Sequence, residues 1–187
     1  MTHYLNIHLL LDPEIPPHVL MAALFNKMHY VLTEMAVNTV GVAFPEYQKS
    51  PSRLGSHLRL IGPIDTLQSL LDRPWLSTLR DHTRVSEIMP IPSNVEHRYL
   101  RRVQVKSSPE RLRRRQMMRH GLSETDAHKK IPDTAAKHLS LPFIQIKSSS
   151  TGQTFRLFFD LSEPQPLAYQ GTFNAYGLSS NQTIPWF

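Results

Sequence analysis

Over its first ninety residues the chain changes hydrophobic period in the order strand, helix, strand, strand, helix, strand, and few folds accept that order. Tyr4 to Leu11 alternates loosely and is rich in Leu and Ile until Asp12-Pro13 ends it. Pro16 and Pro17 then open a helix that carries Val19, Leu20, Leu24, Phe25, Met28, Val31, Leu32 and Met35 at helical spacing. Thr39 to Phe44 and His57 to Ile61 predict two strands around the polar loop Pro45 to Ser56. Pro63 to Leu71 predicts a second helix, continued or restarted over Trp75 to Leu79, and Arg84 to Ile91 a fourth strand. Two βαβ-like halves of this length predict a ferredoxin-like α+β sandwich, with helices on one face of an antiparallel sheet. A hydrophobic content of 40% in 187 residues is enough for a buried core.

Pro90, Pro92, Ser93 and Asn94 predict a boundary, dividing a first domain (1–94) from a second α+β domain (95–187). In the second part Tyr99 to Lys106 alternates like a strand. Ser107 or Ser108 can cap a helix with Pro109 in its first turn and Glu110 completing a capping box, and Gly121 can stop it after His120. Ser123 to Asp126 starts a short helix and Asp133 to Leu139 predicts another. Phe143 to Ser148 and Thr154 to Leu161 predict a hairpin, followed by short strands around Leu167 and over Phe173 to Leu178.

Charge is unevenly spread. The formal net charge is +6, yet Tyr99 to His120 holds eight Lys and Arg against Glu110 alone, so the remaining 165 residues are close to neutral. One concentrated basic segment on a neutral body suits a polyphosphate partner, because Lys and Arg neutralise backbone phosphates and release condensed counterions; a solvated charged helix is the plainer alternative. On the helix after Pro109, Arg111, Arg114, Arg115 and Arg119 fall within an arc of roughly 140° at 100° per residue. The planar guanidinium bridges phosphate oxygens or grips a guanine edge, and such a helix can enter an RNA major groove near a hairpin end; DNA is a second possibility. Arg102 and Gln104, two apart on the preceding strand, suit guanine and adenine edges, or form an exposed strand face.

Composition narrows the chemistry. With no Cys there is no disulfide scaffold, thiolate zinc site or cysteine nucleophile, and a reducing, cytoplasmic compartment is expected. No run of about 18 apolar residues and no signal-peptide pattern is present, so a soluble protein without membrane association is expected. None of the ten His falls in an H-x-H or H-E-x-x-H spacing, and the carboxylates are scattered, so no metal or other cofactor is expected. His29 lies about 115° from the centre of the first helix's apolar stripe, an edge position where an imidazole can be both held and reached, although such a histidine can equally be structural. Ser148 can orient a ribose hydroxyl, Tyr176 can hold an imidazole and Phe155 can stack on a base; a loop serine, a half-buried tyrosine and a core phenylalanine are the competing readings.

At these residues the sequence resembles the CRISPR repeat-processing endoribonucleases of type I-F systems over essentially its whole length. The matching stretches are HYL and the DPE and PP of the start, LFNKMH ending at His29, SRLG from Ser52, RPWL from Arg73 and RVQVKSSPERLRRR from Arg102 to Arg115. KKIPDT from Lys129, LPF, SSSTGQTFRLF from Ser148, YGLS from Tyr176 and the final PWF continue the series in order. The resemblance implies a metal-independent RNase that cuts at the 3′ base of the repeat stem-loop and stays on the crRNA as a subunit of the type I-F surveillance complex. It implies catalytic roles for His29, Ser148 and Tyr176, and RNA contacts for Arg102, Gln104, Phe155 and the arginine helix (Arg111, Arg114, Arg115, Arg119). In the implied chemistry His29 takes the proton of a 2′-OH, which attacks the neighbouring phosphate to give a 2′,3′-cyclic phosphate and a 5′-OH. A hairpin-binding subunit without catalysis is the alternative. Met118 stands where the family pattern leads one to expect another arginine.

Overall fold

A central strand buried along its whole length organises the structure, a computed structural model that describes residues 1–104, 109–132, 139–147 and 152–187. This strand is β3 (His57–Gly62), flanked by β1 (His3–Leu9) and β2 (Gly41–Ala43). β4 (Thr83–Val85) and β5 (Met89–Pro90) follow one another along the free edge of β1, so the antiparallel order is β2-β3-β1-β4, with β5 also on β1. The strand expected over Arg84 to Ile91 is therefore interrupted. Pairing slips by one residue between Ile7 opposite Val85 and Tyr4 opposite Met89, and Ser86 fills the gap by exchanging hydrogen bonds with the Asn6 main chain.

Helix α1 (Pro17–Glu34) starts on Pro17, whose missing N–H costs nothing in a first turn. It buries Leu20, Met21, Leu24, Phe25, Met28, Val31 and Leu32, whereas Val19, expected in the stripe, is 47% exposed. Helix α2 (Ile64–Leu71) buries Leu67 and Leu70, and a 3-10 helix (Pro74–His82) follows. The opposite face of β3 carries Arg59, 7% exposed, whose Nε donates to Asn6 Oδ1 (2.8 Å) and whose guanidinium lies 3.9 Å from the Phe187 ring centre. Packing on a ring and two polar acceptors, Asn6 Oδ1 and the Phe187 main-chain oxygen, makes burial of that cation tolerable.

A second sheet, β7-β9-β8, is formed by β7 (Leu100–Val103), β8 (Phe143–Lys147) and β9 (Thr154–Leu161), and a ribbon pairs β6 (Glu96–Arg98) with β10 (Ile184–Trp186). The short strands expected around Leu167 and over Phe173 to Leu178 do not form; Leu167 is 68% exposed and Phe173 to Leu178 is a turn, while β6 and β10 were not foreseen. The chain also groups differently from a division at residue 94. Met1–Val103 and Leu141–Phe187 make one unit and Gln104–Ser140 another. The reason is the core: Ile144, Ile146, Leu157 and Phe159 of the second sheet join Leu24 and Phe25 of α1 in one hydrophobic cluster. Phe159 meets Phe25 at 5.5 Å and Phe44 at 5.0 Å, both edge-on, a geometry that adds about 1 kcal/mol per pair beyond area burial.

The second unit contains α3 (Pro109–His120) and α4 (Glu124–Lys130). Gly121 takes a φ of 61° just past α3 and donates its N–H to the Met117 carbonyl, and the Ser123 side chain caps α4 through Asp126 N–H. The cap expected at Ser107 or Ser108 and nearly all of the helix expected over Asp133 to Leu139 lie outside the described residues.

Candidate active site

His29 sits one turn after Phe25 on α1, so the two rings share a face, and the Tyr176 ring lies against both. Tyr176 is nearly parallel to Phe25 (6.3 Å, 5°) and stacks on His29 (3.8 Å, 17°). The core aromatic cluster thereby extends to a half-buried imidazole and fixes the plane of its ring. His29 Nδ1 lies 2.8 Å from the Ala175 carbonyl oxygen. A carbonyl only accepts, so Nδ1 carries the proton and Nε2 of the neutral ring holds its lone pair.

The carbonyl is itself held. Asn174 Oδ1 accepts from the N–H of Tyr176 (2.9 Å) and of Leu178 (3.2 Å), the Asn174 carbonyl accepts from Gly177 N–H, and Phe173 N–H donates to Asn38. Gly177 has a φ of 69°, and a Cβ there would meet Val42 Cγ2 at 2.4 Å, so the turn is pressed onto β2 in a way that needs glycine. Asn174 and the Ala175 carbonyl were not singled out from the sequence. The Asn-x-x-Gly spacing of 174 to 177 is a turn signal that could have found them.

Arg102 is exposed on β7 with its guanidinium 5.4 Å from the Phe155 ring centre and 5.9 Å from that of Tyr176. Four predicted site residues, His29, Tyr176, Arg102 and Phe155, therefore belong to one constellation: an oriented imidazole beside a cation and a partly exposed aromatic ring. Ser148 lies outside the described residues. Gln104 is exposed just past the end of β7.

In the other unit, Arg111, Arg114, Arg115 and Arg119 of α3 are all exposed, and Met118, in the middle of their arc, is 83% exposed. Arg113 differs: it is buried on the opposite side, and its guanidinium lies against the His128 ring of α4, beside Nδ1 and 3.1 Å from Nε2. The helix thus spends one arginine on packing and presents four to solvent. Among the described residues, no three His, Asp or Glu side chains gather as metal ligands, and no helix is long and apolar enough to cross a membrane.

An imidazole with one nitrogen anchored and the other free thus stands beside an aromatic and cationic surface. The chain belongs to the family described as CRISPR-associated protein (Cas_Csy4), which it matches over residues 4–187. It is 50% identical over 187 residues, the whole of both chains, to the CRISPR-associated endonuclease Cas6/Csy4 of Pseudomonas aeruginosa (strain UCBPP-PA14). It is 40% identical, again over the full length of both, to the CRISPR-associated endonuclease Cas6/Csy4 of Escherichia coli (strain UTI89 / UPEC).

Proposed function

We propose that this protein is an endoribonuclease that cuts CRISPR repeat RNA at the 3′ base of its stem-loop, using the RNA's own 2′-OH as nucleophile and no metal. The observation that carries the reading is the Nδ1 anchor of His29 on the Ala175 carbonyl, which makes Nε2 the basic nitrogen. His29 Nε2 takes the proton of the 2′-OH of the nucleotide before the cut. The oxygen attacks the adjacent phosphorus in line, the P–O5′ bond breaks, the departing O5′ takes a proton from water while His29 returns its own to solvent, and the products are a 2′,3′-cyclic phosphate and a 5′-OH end. Tyr176 holds the imidazole plane, and Ser148 is assigned to the attacking ribose.

Recognition is divided between two surfaces. Arg102 and Gln104 read purine edges, with Phe155 as a stacking platform, while Arg111, Arg114, Arg115 and Arg119 contact the phosphates of the stem. The names of the two relatives support CRISPR RNA as substrate, and the product is retained in a type I-F surveillance complex in the cytoplasm. The order β2-β3-β1-β4, with α1 and α2 as its crossovers, supports a ferredoxin-like reading of residues 1–94, which supply the histidine; residues 95–187 supply the RNA readers.

Incubating the protein with a repeat hairpin in EDTA tests this. Cleavage is expected, and a hairpin with a 2′-deoxy nucleotide before the cut stays whole. An uncut natural hairpin sinks the enzyme reading, and a cut deoxy substrate sinks the mechanism.

A further inference from the structure

Beside the outer edge of β7 lies an open cavity of about 540 Å³, lined by Arg101, Arg102, Thr172, Ser180 and Asn181 among others, with no Asp or Glu in its wall. That volume is in the range of small-ligand pockets. A lining that includes two arginines and no carboxylate makes the cavity attractive to an anion.

Arg101 is the less expected of the two. Its guanidinium rests 4.5 Å from the Tyr99 ring centre, and its Nε is buried with no hydrogen-bond partner. The residue opposite it in the β7–β9 register, Asp160, is engaged by Lys49 at 3.4 Å. Among the described residues no carboxylate pairs with Arg101 or Arg102. A guanidinium withheld from water on one side, with a donor unmet and its natural counter-ion taken, is poised for an acceptor from outside the chain.

The wall opposite is preorganised. Ser179 N–H donates to the Leu100 carbonyl (3.2 Å), and Ser179 Oγ accepts from the N–H of Asn181 and of Gln182. These bonds fix the loop against β7 and leave the Ser180 side chain exposed at the rim. The cavity also shares Arg102 and Asn174 with the histidine site, because Asn174 builds the turn that presents Ala175 and Tyr176. An anion held here is therefore beside the strand on which His29 acts.

We propose that this cavity is a backbone-phosphate subsite, in which Arg101, with the Ser180 hydroxyl, binds one phosphodiester of the RNA strand outside the contacts of α3. The assignment rests on the RNA reading above. The ligand chemistry, a tetrahedral phosphate oxyanion, is shared by RNA and by inorganic phosphate, and the two are separated by experiment.

Binding of a 2′-deoxy-blocked hairpin carrying a single-stranded 3′ flank is measured against NaCl concentration for the whole protein, Arg101→Gln, Arg101→Lys and, as a control on β4, Arg84→Gln. Loss of one phosphate contact lowers the slope of log K against log [salt] by roughly 0.7 to 0.9, so Arg101→Gln is expected to show that drop with about tenfold weaker binding at 0.1 M salt. Arg101→Lys keeps the slope, and Arg84→Gln changes nothing. Replacing flank phosphates singly with neutral methylphosphonates identifies one position that weakens the natural protein and leaves Arg101→Gln unaffected. A natural slope and a natural methylphosphonate pattern in a folded Arg101→Gln overturn the subsite.

If the natural protein binds no hairpin, the RNA reading has failed, and thermal melting in inorganic phosphate then judges the cavity by itself. A rise in Tm with phosphate that Arg101→Gln loses keeps an oxyanion site and removes its RNA assignment. The same rise in both proteins, or in neither, removes the site.

Discussion

The histidine site and the arginine face of α3 are made in opposite ways. His29 is held by Phe25 through Tyr176, by the Ala175 carbonyl, and by a turn whose geometry Asn174 and Gly177 enforce. The four outward arginines of α3 are exposed to solvent, on a helix whose buried contacts include Arg113 against His128, with Ala127 buried on α4. Proton transfer at a chosen atom depends on angles and tenths of an ångström, whereas neutralising a phosphate chain needs charge at about the right density. A precise site demands a core beneath it, and an electrostatic one does not.

The largest test of that contrast is His29→Ala. Loss of a general base is expected to slow cleavage by about a thousandfold while hairpin binding stays within about threefold of the natural protein, read by single-turnover cleavage and filter binding. Joint loss of binding and cleavage would erase the distinction between the two regions. The reciprocal change, Arg114→Ala with Arg115→Ala and Arg119→Ala, is expected to weaken binding by about a hundredfold at 0.1 M salt and to flatten the salt dependence by two to three units of slope, roughly one per phosphate contact. The cleavage rate at saturating protein should hardly move.

Asn174→Ala sharpens the point about precision. With Oδ1 gone the turn loses two acceptor contacts, and about a tenfold drop in the cleavage rate is expected without loss of affinity. Asn174→Asp retains a side-chain oxygen in place and should restore most of the rate; ¹⁵N spectra of His29 should show Nδ1 protonation weakened in Asn174→Ala and recovered in Asn174→Asp. Met118→Arg, filling the gap in the exposed arc of α3, should tighten binding about threefold and steepen the salt slope.

The smallest effect is on stability. His57, packed 4.0 Å from the His8 ring, is pushed down to about 4 by burial, with help from His8 and Arg59 and opposition from Glu46. The unfolded chain binds this proton near pH 6.5, so His57's contribution is complete above that value and is lost as pH falls from 6.5 towards 4. His57→Gln should flatten the fall of the urea midpoint over that interval, leaving binding and cleavage at neutral pH alone.

Much of the scaffold was legible because its cause is local. The seven buried residues of α1 follow a 3.6-residue period, β3 reads as a strand from Leu58, Leu60 and Ile61, and Gly121 and Ser123 act as stop and start signals through their own backbone. β6 and β10 were illegible because they are three residues each and pair across nearly ninety positions. Phe173 to Leu178 forms a turn and not a strand because its main chain bonds to Val42 of β2 and to Asn38, partners more than 130 positions away.

By itself the sequence determined the chemistry that was available: arginines on one arc of a helix, a histidine at the edge of an apolar stripe, no thiols, and motifs that place the chain in its family. Those properties depend on residue type and on spacing within one element, which the chain carries before it folds. Only the tertiary structure decided which nitrogen of His29 is free, which arginine of α3 is withdrawn into packing, and that Arg101 faces a cavity without a counter-ion. Each of these depends on residues distant along the chain, Ala175 for His29, His128 for Arg113 and the wall residues Thr172, Ser180 and Asn181 for the cavity beside Arg101, and they meet only once the intervening chain has closed.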